Sequence, residues 1–414
     1  MAQRVLRILM IVLSAVASVC ATAAPSAWDL YRRHDFFALH AALLSNRDGD
    51  TRTGFLRAAD AFASGRYQDA SLALRNLLSR RDADRALEAD AREFLMLSER
   101  ARFRYSAAFD AIEPLLREGS IGSTAQLSSI RNRAALLTAI KDVLPETSYP
   151  GKEHSLVLTP DETMDVQVND LPLRLLFDTG ANFSILSRSA ARNAGLETRR
   201  TDYRINGATG TGIRSDVTSG SMKFGNGTVV SNVIFLVLPD TALHLPDGRA
   251  LPGVIGFPVI SALGAIRHPR TGRLVLGGTT GVGSSRTGFV LSGSDPLLQI
   301  EYRGQRLACR LDTGAIETVF YEPFLHAFPD VAADAHRARD RIAGISGVSA
   351  VDDYRLTAVR IALAGRIVEL RNIRALARSA DPDGGGIFCN IGRDVLDQLG
   401  QYTINFADMT FSLP

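Results

Sequence analysis

Two aspartates carry the chemistry that this sequence offers. Asp178 sits in "LRLLFDTGA" (Leu173 to Ala181) and Asp312 in "LACRLDTGA" (Leu307 to Ala315). In each, an apolar run that reads as a buried strand leads into Asp-Thr-Gly-Ala. A lone Asp-Thr-Gly is an ordinary turn after a strand. A carboxylate at the end of a buried strand is expensive unless it is solvated or partnered. If the two segments meet about a pseudo-twofold axis, the carboxyls face each other and share one proton. One is then a base and the other an acid. A water held between them can lose a proton to one while a carbonyl gains a proton from the other. That is hydrolysis by general acid–base catalysis, with no metal and no covalent intermediate.

The elements that must position these aspartates are themselves duplicated. Beyond "ETSYPGKEHS" (Glu146 to Ser155) apolar and polar residues alternate, as in "TMDVQVNDLPLRLLFDTG", with Asn169-Asp170 expected as a hairpin turn. A hairpin precedes each motif. A Gly-rich tip follows, "RINGATG" against "RIAGISG", and each half closes on "GVIGFPVISALG" or "CNIGRDVLDQLG". The offsets stay nearly constant: 312 − 178 = 134, 342 − 205 = 137, 392 − 256 = 136. Register held over that span marks an internal duplication of one lobe. The expected layout is a signal peptide over 1–23, a helical domain over 24–148 and a first lobe over 149–278. A Gly/Ser-rich linker over 279–294, with one short strand "FVL", precedes a second lobe over 295–414. The fold class is α+β multidomain, a helical-hairpin domain followed by two duplicated all-β lobes.

From about Ser155 to Pro414 the halves resemble the aspartic protease superfamily, and its retropepsin-like branch most closely. Leu176-Phe177-Asp178-Thr179-Gly180-Ala181 and Arg310-Leu311-Asp312-Thr313-Gly314-Ala315 match the family's first element, and Ile391-Gly392-Arg393-Asp394 matches its last. The resemblance implies that Asp178 and Asp312 are the catalytic pair. It implies that Thr179 and Thr313 tie the two loops together, and that Gly180 and Gly314 let backbone amides approach the carboxylates. The tips around Gly207 and Gly210, and around Gly344 and Gly347, would be flaps over a peptide. Two departures stand out. Ala181 and Ala315 stand where pepsin-like members usually carry Ser or Thr. Fewer hydroxyl donors should raise the pair's titration, toward a mildly acidic to neutral optimum. The first lobe has "IGFP" where the second has "IGRD", so its brace on the active-site loop is missing or replaced.

From about Ser26 to Leu144, Ala and Leu recur at helical spacing. Tyr67 and Ala70 return as Tyr105 and Ala108, 38 residues on (105 − 67 = 38), with Phe103 in the place of Gly65. Over about two units this loosely resembles the tetratricopeptide repeat, whose usual period is about 34. Two readings stay open: a groove for a protein partner or substrate segment, and a plain helical bundle packed on the rest of the chain.

Arg4 and Arg7 precede the uncharged run "ILMIVLSAVASVCATAA", which ends in a small-residue site before residue 24. This is the layout of a secretory signal, with Ala23 the last residue removed. The mature chain is then exported, periplasmic or secreted, with no membrane span. Two cysteines remain, Cys309 and Cys389. An oxidising compartment lets them pair; the alternative is two small buried hydrophobes.

A net charge of only +3 with scattered arginines gives no field for nucleic acid. The seven histidines show no metal-ligand spacing, and no phosphate-loop or dinucleotide pattern appears, so neither metal nor cofactor is expected. The reading is an exported endopeptidase acting on a polypeptide substrate, monomeric because both lobes share one chain. Its rival is a non-catalytic protein-binding module that works through the helices.

Overall fold

The computed structural model describes residues 25–414 apart from 47, 119–123, 153, 207–211, 246, 269–271, 278–284, 345–346 and 378–385. The expected signal segment, Gly207, Gly210 and the first part of the linker therefore lie outside the described residues. Among the described residues no helix is long and apolar enough to cross a membrane.

Helices fill the region from Ala27 to Ile140, and β-structure follows to the C-terminus. The 38-residue recurrence has a physical counterpart at two turns. Gly65 N–H donates to Phe62 C=O and Arg66 N–H to Ala61 C=O; 38 residues later Phe103 N–H donates to Arg100 C=O and Arg104 N–H to Glu99 C=O. Gly65 takes φ +74° and Phe103 takes φ +58°. The second turn thus keeps the left-handed shape without a glycine, at a cost of about 1 kcal/mol.

The two lobes repeat one plan. In the first, strands Thr163–Val168 and Leu171–Phe177 form a hairpin whose turn residues Asn169 and Asp170 both have positive φ, as expected. Strand Gly253–Ile255 runs parallel to the second strand, pairing Val254 with Leu176 and Ile255 with Phe177. In the second lobe, Asp295–Tyr302 and Gln305–Leu311 form the hairpin, and Ile387–Ile391 runs parallel to it, pairing Asn390 with Arg310 and Ile391 with Leu311. Each parallel strand passes through a glycine into a short helix, Phe257–Ala262 or Arg393–Leu399.

The sheets do not divide where the sequence halves do. Strands Ala265–His268, Arg273–Leu276 and His154–Val157 come from the first half. They hydrogen-bond into the 13-stranded sheet of the second half, through Tyr402–Asn405 and Thr410–Leu413. The stretch expected as a linker with one short strand contains a longer strand, Ser285–Ser292. It pairs with Asp295–Tyr302 on one side and Thr410–Leu413 on the other. That strand owes its length to partners distant in sequence, which its Gly/Ser composition does not reveal.

The helical region packs on both lobes. One continuous apolar cluster runs from Leu39, Phe55 and Ile112 to Ala181, Phe183 and Val254 of the first lobe and Leu297 and Tyr321 of the second. Asn132 holds the backbone of Arg204 from both sides, accepting its N–H at 2.8 Å and donating to its C=O at 2.9 Å. Arg204 opens the short hairpin Arg204–Asn206/Gly212–Arg214. A helix thereby fixes the base of the first-lobe hairpin whose tip was expected as a flap.

Candidate active site

The backbone holds both Asp-Thr-Gly-Ala loops in the same way. Asp178 N–H donates to Ile255 C=O at 3.1 Å, and Asp312 N–H to Ile391 C=O at 3.0 Å. Phe257 N–H donates to Ala181 C=O at 2.8 Å, and Arg393 N–H to Ala315 C=O at 2.9 Å. Each loop is thus suspended from the parallel strand and the helix that follow it far along the chain.

The threonines join one loop to the other. Thr179 N–H donates to Thr313 Oγ1 and Thr313 N–H to Thr179 Oγ1, both at 3.1 Å. Their hydroxyls donate onward, Thr179 Oγ1 to Leu311 C=O and Thr313 Oγ1 to Phe177 C=O, both at 2.8 Å. Both threonines are buried. The amides and hydroxyls of both threonines are all hydrogen-bonded, which offsets the cost of burying them.

The glycines serve a closer approach than amide donation alone. Gly180 N–H does donate to Asp178 Oδ1 at 2.8 Å. In the second loop Ala315 N–H fills the corresponding role to Asp312 Oδ1 at 3.0 Å. A Cβ added at Gly180 would lie 2.7 Å from Asp312 Cγ, and one at Gly314 would lie 2.4 Å from Asp178 Cγ. Each glycine therefore makes room for the opposite carboxylate.

The two carboxyls are neighbours, each set against the glycine of the opposite loop. Dense surroundings push the Asp178 carboxyl well above its usual range, and the adjacent Asp312 charge pushes it further; the Gly180 and Ala181 amides oppose this. Both residues are only partly buried.

The lobes differ in their bracing, as "IGFP" against "IGRD" foreshadows. In the second lobe Asp394 accepts from Thr318 N–H at 3.0 Å and from Thr318 Oγ1 at 2.6 Å, and Gly392 N–H donates to Thr318 Oγ1 at 3.0 Å. In the first lobe Gly256 N–H donates to Ser184 Oγ at 3.1 Å, but Pro258 stands in the place of Asp394. The hydroxyl link survives and the carboxylate brace does not. Arg393 reaches Pro160 C=O in the first lobe. Its counterpart Phe257 packs on Phe406 near the C-terminus, ring centroids 5.6 Å apart.

One residue at the carboxyls escaped the sequence reading. Asn390 Nδ2 donates to Asp312 Oδ2 at 2.8 Å. Its signal was a polar residue in an otherwise apolar strand, "IFCNI", where the first lobe has Val254. Beside it, Cys309 and Cys389 form a disulfide with Cα atoms 4.7 Å apart, joining the strand into Asp312 to the strand carrying Asn390. Gly344 and Gly347 pair as the last rung of the long hairpin His336–Gly344/Gly347–Leu363. Among the described residues no cluster of His, Cys, Asp and Glu could hold a metal ion.

Residues 164–259, the span carrying the first Asp-Thr-Gly-Ala loop, match a family model described as aspartyl protease. The fold is aspartic-protease-like. Among solved structures, edgp matches at 10% identity and TM-score 0.37, covering 64% of this chain and 95% of its own. Basic 7S globulin from soybean matches at 10% identity and TM-score 0.42, covering 63% and 96%. A retropepsin-like aspartic protease from Rickettsia conorii matches at 19% identity and TM-score 0.23, covering 32% and 95%. No curated protein sequence matches the chain.

Proposed function

We propose that this chain is an exported aspartic endopeptidase that hydrolyses peptide bonds between its two lobes. The observation that carries the reading is the reciprocal fit of the loops. Each glycine leaves space for the other loop's carboxylate, and the threonine knot locks that fit. A module with a retired site needs neither carboxyl there, since two adjacent partly buried acids only destabilise it.

In the proposed reaction the pair shares one proton. The ionised carboxylate takes a proton from a water placed between the two, and the resulting hydroxide attacks the peptide carbonyl carbon. The protonated carboxyl gives its proton to the carbonyl oxygen. Collapse of the tetrahedral diol then breaks the C–N bond: the amine nitrogen takes the proton that the base carboxyl had received, and a diol hydroxyl returns its proton to the other carboxylate. The substrate lies extended, its backbone hydrogen-bonded by the hairpins of the two lobes. The helical region is a second contact surface for the substrate or for a protein partner. Export is supported by the N-terminal signal pattern and by the Cys309–Cys389 disulfide, which an oxidising compartment preserves.

Hydrolysis of denatured casein by the purified chain tests this reading. Activity should fall by at least about a thousandfold in Asp178→Asn and in Asp312→Asn. Unchanged activity in both variants sinks the assignment.

A further inference from the structure

The two Asp-Thr-Gly-Ala loops are held by matching bonds, yet the hydrogen bonding of the two carboxyls is not symmetric. Asp312 accepts from the Asn390 side chain at 2.8 Å. The matched position beside Asp178 is Val254, because 390 − 254 = 136 and 392 − 256 = 136. Both residues sit in the parallel strand next to their aspartate, Val254 opposite Leu176 and Asn390 opposite Arg310. Valine has nothing to donate.

Asn390 is buried, and its Oδ1 has no hydrogen-bond partner. An unpaired buried oxygen is a penalty that natural structures seldom retain without a function. With the amide in this orientation, N–H meets carboxylate. The reverse would set two acceptor oxygens together unless Asp312 were the protonated partner. An N–H donor stabilises the ionised form of its acceptor and gives nothing to the neutral form's own proton.

We propose that Asn390 is a positioning residue that keeps Asp312 as the ionised member of the pair and leaves the shared proton on Asp178. This rests on the endopeptidase reading and assigns roles within it. Asp312 is the base that takes the water's proton, and Asp178 is the acid that protonates the carbonyl. The preference of Asp178 for its neutral form has the same sense. The charged groups around the pair among the described residues are these. Asp178 and Asp312 face each other. Arg310, beside Asn390 in the ladder, is held by Asp295 at 2.8 Å. Val319, opposite Asn390 on its other side, is neutral. Glu317, in the Asp312 loop, bears on Asp394.

The test is a pH titration of the full chain carrying 13C-labelled aspartate carboxyls, read by NMR, alongside the pH profile of casein hydrolysis. In Asn390→Val the lower ionisation step of the pair should move up by about one pH unit, the size of one lost charged hydrogen bond. The acid limb of kcat/KM should move with it, while KM changes little. Asn390→Ala, which adds no branched methyl to the strand, should show the same shift and keeps the test open if the valine variant folds poorly. A step that stays in place, or moves down as the reversed amide requires, overturns the proposal. Absence of casein hydrolysis in the unmodified chain overturns the endopeptidase reading, whereas an unshifted step in an active enzyme overturns only the role of Asn390.

Discussion

Thr179 and Thr313 each donate a backbone N–H to the other's hydroxyl oxygen at 3.1 Å, across 134 residues of sequence. Removing one threonine hydroxyl breaks both the bond it accepts and the bond it donates. Thr313→Val, nearly isosteric, leaves Thr179 N–H and Phe177 C=O unpaired in a buried setting. The expected loss is about 2 to 4 kcal/mol, read as a lower urea midpoint. Thr313→Ser keeps both bonds and should lose less than about 1 kcal/mol. Equal losses in the two variants would show that the methyl, and not the hydroxyl, holds the knot.

Gly314→Ala tests the carboxylate fit. Its new Cβ would fall 2.4 Å from Asp178 Cγ, so either the loop or the carboxyl must shift. Displacing a reacting group by about an ångström lowers turnover about a hundredfold. Steady-state kinetics should show that drop in kcat. Full activity in the alanine variant would mean that the pair tolerates a wider spacing than the structure implies.

Glu146 gives a pH signature away from the site. It is buried where the helical region meets the first lobe, and its Oε1 accepts from Tyr105 Oη and Ile234 N–H, both at 3.2 Å. Burial pushes its carboxyl from 4.5 up to about 7. A raised carboxyl means that the unfolded chain ionises first. Its contribution is therefore fully present below about pH 4.5 and is lost as pH rises toward about 7. Glu146→Gln keeps an acceptor at Oε1 and removes the titration. The variant should match the parent chain at pH 4 and exceed it at pH 8 by up to about 3 kcal/mol. Denaturation midpoints across that range check the sign, and a larger gain at pH 4 than at pH 8 would refute it.

The Cys309–Cys389 disulfide closes a loop with a sequence separation of 80. Chain entropy alone assigns such a loop about 4 kcal/mol. Cys309→Ala with Cys389→Ala should lower stability by about that amount and make it insensitive to reductant. Because the bridge joins the strands carrying Asp312 and Asn390, kcat should fall as well. Stability unaffected by reductant in the parent chain would show that the bridge is absent in solution.

Much of this architecture was legible in one dimension because it depends on local pattern. Alternation predicted the Thr163–Val168/Leu171–Phe177 hairpin, and Asn169-Asp170 supplied its left-handed turn. The 38-residue recurrence located two matching helix turns, even though Phe103 replaces the glycine. The Ser285–Ser292 strand is longer than its Gly/Ser composition suggests, because it is built by partners on both sides. Asn390 went unnoticed for a similar reason. Its local mark is only a polar side chain in an apolar strand, and the Asp312 carboxyl that it meets is 78 residues away.

By itself the sequence determined that one lobe is written twice and that each copy delivers an aspartate after a buried strand. Residue identity and spacing suffice for that, since strand period, turn chemistry and duplication are local properties. Only the tertiary structure decided how unequal the two halves are. Parallel pairing of Ile387–Ile391 against Gln305–Leu311 brings an amide to one carboxyl, where the first lobe offers a valine. Hydrogen bonds act over about 3 Å, so which of two like aspartates receives the extra donor depends on the packing of strands that the chain places far apart.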